Sequence, residues 1–332
     1  MKKKIALVTG GAGFIGSHLV DLLVKKNFEV RVIDDLSGGH EKNLNNHNKN
    51  TNVKVEKKNI LNLSEDNKIF KDVDYVFHFA GKGDIVPSIE SPFNYMNTNV
   101  IGTVKVLECS RYFKIKKFVY AASSSCYGLA RTPTDESHKI QTLYPYALSK
   151  YNGEQAVLHW NNVYKLPVIS VRIFNAYGER VRTTGAYGAV FGVFFKQKLE
   201  KKPFTIVGDG NQKRDFLYVT DIARAFYELS QSNYENEVYN LGFGKPHTIN
   251  QLVSIIDKKN SKVFIPKRPG EPDITWANIS KIQNHINWVP KISFEEGVNL
   301  MIKNLDDWKD APLWDKDNIE LATKTWFKFM SK

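Results

Sequence analysis

The sequence predicts an α/β fold: a doubly wound parallel sheet with a smaller, discontinuous α/β lobe beside it. Three observations carry that expectation. Short apolar runs recur at 5–8, 30–33, 53–55, 75–79, 118–122 and 168–173, with helical spacing between them, notably at 94–113 and 147–162. Such alternation gives parallel strands with helices on both faces of the sheet. Glycines at Gly10, Gly13 and Gly16 follow the first run, and the second run ends on an acid, Asp34. From about residue 174 the alternation gives way to a Gly- and Pro-rich chain, with Gly178, Gly185, Gly188 and Gly192, then Pro266, Pro269, Pro272 and Pro290. A run at 237–241 rejoins the sheet. The expected division is 1–173 plus about 216–241 for the sheet domain, and about 174–215 plus 242–332 for the lobe.

Taken in order, the first run leads into a turn and a helix. Gly10 permits the tight turn, Gly13 lets backbone approach a pyrophosphate, and Gly16 lets the helix pack closely on the strand. The helix begins at Phe14 and Ile15, and its apolar positions Ile15, Leu19, Leu22 and Leu23 share a face. Its free N–H groups and dipole point at the phosphates. Asp34 falls at about the ~20-residue offset that places a carboxylate on ribose hydroxyls, where it repels a 2′-phosphate. Asp35, Leu36 and Ser37 follow, with no Arg or Lys directly after the acid, so the expected cofactor is NAD rather than NADP. These features make the sheet domain Rossmann-type. The Asn- and Lys-rich stretch 43–52 reads as a solvated loop.

The run at 118–122 exits into Ser123, Ser124, Ser125, Cys126, Tyr127 and Gly128. Carboxyl ends of strands line the ligand crevice in such sheets, so these hydroxyls are placed to touch a reacting oxygen. Tyr146 and Lys150 lie four residues apart after Pro145, a residue suited to a helix start, and so share one helix face. A nearby ammonium favours tyrosinate and lowers a phenol from ~10 toward neutrality, which makes Tyr146 a usable general base. By itself a Tyr/Lys pair at this spacing is an ordinary surface pair. The glycine fingerprint and the serine cluster in the same chain favour the catalytic reading.

Composition sets the outer limits. The chain has 332 residues, with 42% hydrophobic and 25% charged, which suits one large or two unequal globular lobes. No apolar stretch approaches the ~20 residues that span a bilayer. The basic start at Met1 is followed by an apolar run too short for a signal peptide before the glycines interrupt it. The two cysteines, Cys109 and Cys126, lack metal-type spacing, and a reduced cytoplasmic protein without a metal is expected. The net charge of +12 is scattered in pairs such as Lys25-Lys26 and Lys116-Lys117 rather than gathered in an arm. Solvated faces, a tolerance for a polyanionic small substrate, and no nucleic-acid or membrane partner are the expectations.

These motifs resemble, nearly end to end, the extended short-chain dehydrogenases/reductases of the nucleotide-sugar epimerase/dehydratase group. The type most similar is the UDP-glucose 4-epimerase. The carrying segments are 9–16 (Thr-Gly-Gly-Ala-Gly-Phe-Ile-Gly), 78–80 (His-Phe-Ala), 99–103, 123–128, 146–150, 172–178, 208–215 and 268–273. The resemblance implies Tyr146 as base, Lys150 as the residue that holds the nicotinamide ribose and tunes Tyr146, and Ser123 as the catalytic hydroxyl, with Ser124 and Ser125 in support. It implies a cofactor site of Gly10, Gly13, Phe14, Ile15, Gly16, Asp34, Asn59, Ile60, Ala80 and Asn99. It implies a nucleotide-diphosphate sugar held by Lys82, Asp84, Ser88, Asn175, Val190, Arg214, Arg268 and Asp273, with Arg180, Arg182 and Tyr187 as further polar candidates. Guanidinium forks suit phosphate oxygens, and a carboxylate suits a ribose diol.

The implied chemistry is a 4-epimerisation: transient oxidation at C4 and return of hydride to the opposite face, with NAD tightly held and recycled. Dehydratases of this group usually carry an Asp-Glu pair where Ser124 and Ser125 stand here. Serines do not titrate usefully, which disfavours 4,6-dehydration. A 4-oxidase or 4-ketoreductase on the same scaffold, and more remotely a silent NAD sensor, are the alternatives. Asn59 and Gly81 depart from the usual Asp and Ala. The charged 82–84 segment reads either as a solvated loop tip or as a selector for the sugar. The resemblance also implies a homodimer through the helices near 94–113 and 147–162; Tyr95, Val104, Leu107, Leu158 and Trp160 fit that interface or the protomer core equally.

Overall fold

The computed structural model describes residues 3–182 and 190–331. Strands β1 (Ile5–Thr9), β2 (Glu29–Asp34), β3 (Val53–Lys57), β4 (Tyr75–His78), β5 (Lys117–Ser123), β6 (Val168–Ile173) and β7 (Glu237–Leu241) form one parallel sheet of seven strands. Their spatial order is β7-β6-β5-β4-β1-β2-β3. Every run expected as a strand lies in this sheet. Strands β1, β4, β5 and β6 are buried along their whole length, because helices cover both faces. The edge strand β3 carries exposed lysines instead.

Consecutive side chains turn to opposite faces, and two cores result. Val8, Val32, Phe77 and Val119 pack on one side with Leu19, Ile222 and Phe226. Their neighbours Leu7, Ile33, Val76 and Phe118 pack on the other with Val106, Leu107 and Val157. The helices that matter for the site are α1 (Phe14–Lys25), α2 (Gly102–Tyr112), α3 (Pro145–Tyr164) and α4 (Lys316–Met330). The helical stretch expected at 94–113 is interrupted by a π turn, Asn97–Ile101, whose extra residue swings Asn99 inward.

A third core belongs to the lobe and gathers Tyr177, Phe191, Phe194, Phe195, Phe204, Leu252, Val253 and Val298. Packing does not follow chain order as the expected division assumed. Phe216, Tyr218 and Val219 pack into the lobe core, while Ala277, Ile279, Ile282 and Trp288 pack against the sheet. The stretch read as a solvated loop also departs: Asn43 is buried and its Nδ2 donates to the Ala12 carbonyl at 2.8 Å, so that segment braces the glycine turn. Gly185, Tyr187 and Gly188 lie outside the described residues.

Candidate active site

The sheet reverses its order between β1 and β4, and the strand ends part there. Gly10 stands at the end of β1 with φ +69°, and a Cβ on it would lie 2.7 Å from the Ala80 nitrogen. A Cβ on Gly16 would lie 2.2 Å from the Gly10 carbonyl oxygen, so only glycine lets α1 rest on the turn. Gly13 differs: the nearest atom to its Cβ is 3.1 Å away and lies behind the turn, which leaves its outer face open. Gly13 also caps α1 without a side-chain hydrogen bond, so the first N–H groups of the helix face the crevice. The side chains of Phe14 and Ile15 pack toward the lobe core. This cradle fits a pyrophosphate.

Asp34 ends β2 in a buried position, and its carboxylate accepts N–H groups from Ala12 at 2.9 Å and Leu36 at 2.8 Å. Burial pushes its pKa up, and these two N–H groups pull it back. Asn59 uses its carbonyl to cap Leu61 (2.9 Å) and its amide to hold Asp35 (2.7 Å), so it braces the residue beside Asp34. The Ile60 side chain is buried under α2, where a Cβ on Gly102 would lie 2.5 Å from it; only its backbone remains for a cofactor.

A buried chain of hydrogen bonds ties β1 to the π turn. The Ala80 N–H donates to Thr9 Oγ1 (3.3 Å), Thr9 Oγ1 meets His78 Nδ1 (2.6 Å), and His78 Nε2 meets Thr103 Oγ1 (2.9 Å). Thr103 in turn donates to the Asn99 carbonyl at 2.7 Å. That direction requires the proton of a neutral His78 on Nε2. Burial pulls the pKa of His78 down to about 3 and keeps it neutral. The Asn99 side chain is fully engaged: Oδ1 accepts the Lys82 N–H (2.7 Å), and Nδ2 donates to the Lys82 carbonyl (3.0 Å) and to Ser149 (2.8 Å). Asn99 therefore acts as a brace for the 81–84 loop. Gly81 follows from the same contact, since a Cβ there would lie 2.9 Å from Asn99 Oδ1.

Ser123 ends β5, and Tyr146 and Lys150 stand one turn apart at the start of α3. The Ser123 hydroxyl accepts the Ser125 N–H at 3.2 Å and lies close enough to the Tyr146 phenol to lower its pKa. Lys150 is buried, with its ammonium 4.4 Å from the Tyr120 ring. The electrostatics depart from the sequence expectation. Burial pushes Tyr146 up rather than down; Ser123 pulls it back, and Asp84 pushes it further. Burial pulls Lys150 down to about 7, against the carboxylate of Glu154. The reason is desolvation: an ammonium that titrates near neutrality does not hold a neighbouring phenol ionised. Tyr146 is a neutral phenol when only protein groups surround it.

Across the crevice lies a cleft of about 430 Å³ between sheet and lobe. Asp84, Ser124, Ser125, Asn175, Val190, Arg214 and Arg268 line it. Ser88 and Lys82 do not: Ser88 is buried and donates to the Ile85 carbonyl (2.6 Å), and the Lys82 side chain is exposed. Asp273 is 73% exposed and pairs with Lys267 on the rim, outside the cleft. The carboxylate that lines the cleft on the lobe side is Glu271. Its Oε1 takes Arg214 (2.7 Å) and Arg268 (3.1 Å), and its Oε2 takes Arg268 Nε at 2.8 Å. Burial raises its pKa, but Arg268 and Arg214 together hold it below the usual value. The acid three residues after Arg268 is the signal that would have found it. Asp84 is likewise paired, with Arg182 at 2.8 Å. Arg180 pairs with Asp21 (2.7 Å), away from this cleft. Tyr144 and Trp326 also line the cleft, and nothing in the sequence pattern pointed to either.

Fold and site together define a dinucleotide-dependent enzyme acting on a phosphorylated ligand. Residues 7–301 match the family profile described as GDP-mannose 4,6 dehydratase. A putative UDP-glucose 4-epimerase of Methanocaldococcus jannaschii is 38% identical over 89% of this chain and 96% of its own length. A UDP-N-acetylglucosamine 4-epimerase from Methanobrevibacter ruminantium, solved with UDP-N-acetylmuramic acid, superposes with a TM-score of 0.88 at 34% identity, covering 92% of this chain and 99% of that one. A UDP-glucuronic acid 4-epimerase from Bacillus cereus, solved with UDP-glucuronic acid and NAD, gives 0.85 at 31% identity, covering 91% and 99%. The chain belongs to the NAD-dependent nucleotide-sugar epimerase/dehydratase family of extended short-chain dehydrogenases/reductases.

Proposed function

We propose that the chain interconverts C4 epimers of a UDP-hexose, with Tyr146, Ser123 and Lys150 as its proton-handling residues. It is an NAD-dependent epimerase, an isomerase. The reading is carried by the Ser123 hydroxyl and the Tyr146 phenol, which lie close enough for Ser123 to lower the phenol's pKa, next along the chain to the cleft-lining Ser124, Ser125 and Tyr144, with Lys150 buried one helical turn on. The glycine turn, the α1 N-terminus and Asp34 hold the dinucleotide. When bound there, NAD would supply a hydride acceptor and donor for the sugar carbon and, in its oxidised form, a positive charge that favours tyrosinate. Tyr146 takes the proton of the sugar 4-hydroxyl and later returns it. Ser123 holds that oxygen in line, and Lys150, one turn along α3, is the residue that would hold the nicotinamide ribose. Arg214 and Arg268 hold the diphosphate, with Glu271 holding their forks. Ser124 and Ser125 supply hydroxyls where elimination of water would need a titrating acid and base, and both acids in the cleft, Asp84 and Glu271, are ion-paired. That supports epimerisation over dehydration.

The test is incubation with UDP-glucose, UDP-N-acetylglucosamine and UDP-glucuronate without added cofactor, followed by proton NMR. A C4-inverted product that Tyr146→Phe loses supports the reading and names the sugar. A keto sugar accumulating with reduced cofactor overturns it.

A homodimer in a reducing cytoplasm completes the reading. Phe93, Ile101, Tyr112, Leu148, Val163 and Tyr164 are exposed on the helices around α2 and α3. Tyr95 and Leu107 are buried in the protomer, so those exposed residues are the ones that support the interface. Cys109 and Cys126 are buried, free thiols. A monomeric mass by light scattering would rule the dimer out.

A further inference from the structure

Helix α4 lies beyond the family match, which ends at residue 301. It is nonetheless well made. Asp315 and Asn318 form a capping box at its start, and Ile319, Thr323 and Trp326 form a buried stripe at helical spacing. Ile319 enters the lobe core. Further along, the stripe covers the cleft. The Trp326 indole N–H donates to the Pro269 carbonyl at 2.7 Å. The Trp326 ring lies 5.6 Å from the Arg268 guanidinium and 6.0 Å from the Tyr144 ring. One turn later, Met330 rests on Gly270: a Cβ there would lie 3.1 Å from Met330 Cε. The helix also packs on Ile85–Glu90, at the opposite rim of the same cleft.

Three grips thus fall on one short turn: a hydrogen bond to Pro269, a side chain over Gly270 and a ring near Arg268. Gly270 has φ +72° and no side chain with which to anchor itself. We propose that α4 is a clasp for the 268–271 turn, with Trp326 as the positioning residue that sets Arg268 for an anionic ligand. Covering the guanidinium with an aromatic ring also keeps water from its pair with Glu271, which strengthens both contacts. A loop ordered in advance loses less freedom when the ligand arrives, so the clasp acts on affinity and leaves the proton-transfer groups alone. The proposal rests on the reading that this cleft takes a nucleoside diphosphate.

The test uses the full NAD-loaded chain and UDP as the probe. In Trp326→Ala, the Kd for UDP and the KM for the UDP-sugar rise about tenfold while kcat stays within about twofold. Trp326→Phe keeps a ring, loses the N–H, and recovers part of that loss. Hydrogen exchange of the 268–273 peptide quickens in Trp326→Ala before any ligand is added. Unchanged exchange, or an unchanged Kd in a variant that retains NAD, overturns the clasp and leaves the epimerase reading standing. A Trp326→Phe variant as impaired as Trp326→Ala in a folded protein removes the role of the ring. Wild-type protein that binds no UDP overturns the nucleotide-sugar reading, and the clasp with it.

Discussion

On the sheet side of the cleft, Ser123, Tyr146 and Lys150 stand at the ends of a buried strand and a 20-residue helix. On the lobe side, Arg214 and Arg268 come from a two-residue strand and a loop, and a single carboxylate holds them together. The first wall is fixed by backbone geometry and close packing. The second is fixed by side-chain pairing. Chemistry at a reacting atom needs the first kind of support, since small misplacements there are costly to rate. Recognition of a diphosphate tolerates the second kind, since charge acts over distance and guanidinium forks adapt.

The largest expected effect separates the walls by kinetic parameter. Tyr146→Phe lowers kcat by about 10²- to 10⁴-fold with KM little changed, measured at saturating UDP-sugar. A Tyr146→Phe variant with near-native kcat would remove the base from this wall. Gly16→Ala comes next. Its Cβ meets the Gly10 carbonyl at 2.2 Å, so the variant loses on the order of 1–3 kcal/mol by denaturant unfolding and releases NAD. Retention of full NAD content on purification would show that the turn can yield.

On the other wall, Glu271→Ala frees two guanidinium groups from their shared carboxylate and raises KM about tenfold with kcat preserved. An equal fall in kcat would mean that the lobe also positions the reacting carbon. The sheet wall carries an acid weakness of its own. His78 is held neutral down to about pH 3, whereas the unfolded chain takes up a proton near pH 6.5. Stability therefore falls as pH drops below that value, by about 1.4 kcal/mol per pH unit for this group. His78→Gln flattens that slope in denaturant midpoints taken at pH 7.5, 6 and 5; parallel slopes would put the proton elsewhere. The smallest effect is assigned to Asp273→Ala, which changes KM less than about twofold because its ion pair is exposed. A tenfold rise would return Asp273 to the ligand.

The glycine spacing, the acid at the end of β2 and the Tyr146/Lys150 pair were legible because local rules fix them. A turn that excludes a Cβ and a helix face four residues long read the same in any context. The sugar site was legible only in part. Ser88 and Asp273 sat at plausible positions, yet one turns its hydroxyl to the Ile85 carbonyl and the other turns to solvent, and a sequence does not show which way a loop side chain faces. Glu271, two residues before Asp273, takes the place in the cleft.

Short-range spacing is enough to specify the parallel sheet, the dinucleotide cradle and the helix face that Tyr146 and Lys150 share. Tertiary structure decided the rest. It made Asn99 a brace, brought Trp326 some 180 residues along the chain to face Tyr144, and turned the Tyr146 and Lys150 pKa values by burial. Desolvation and long-range contact are properties of the packed chain, and no pattern of neighbours along it encodes them.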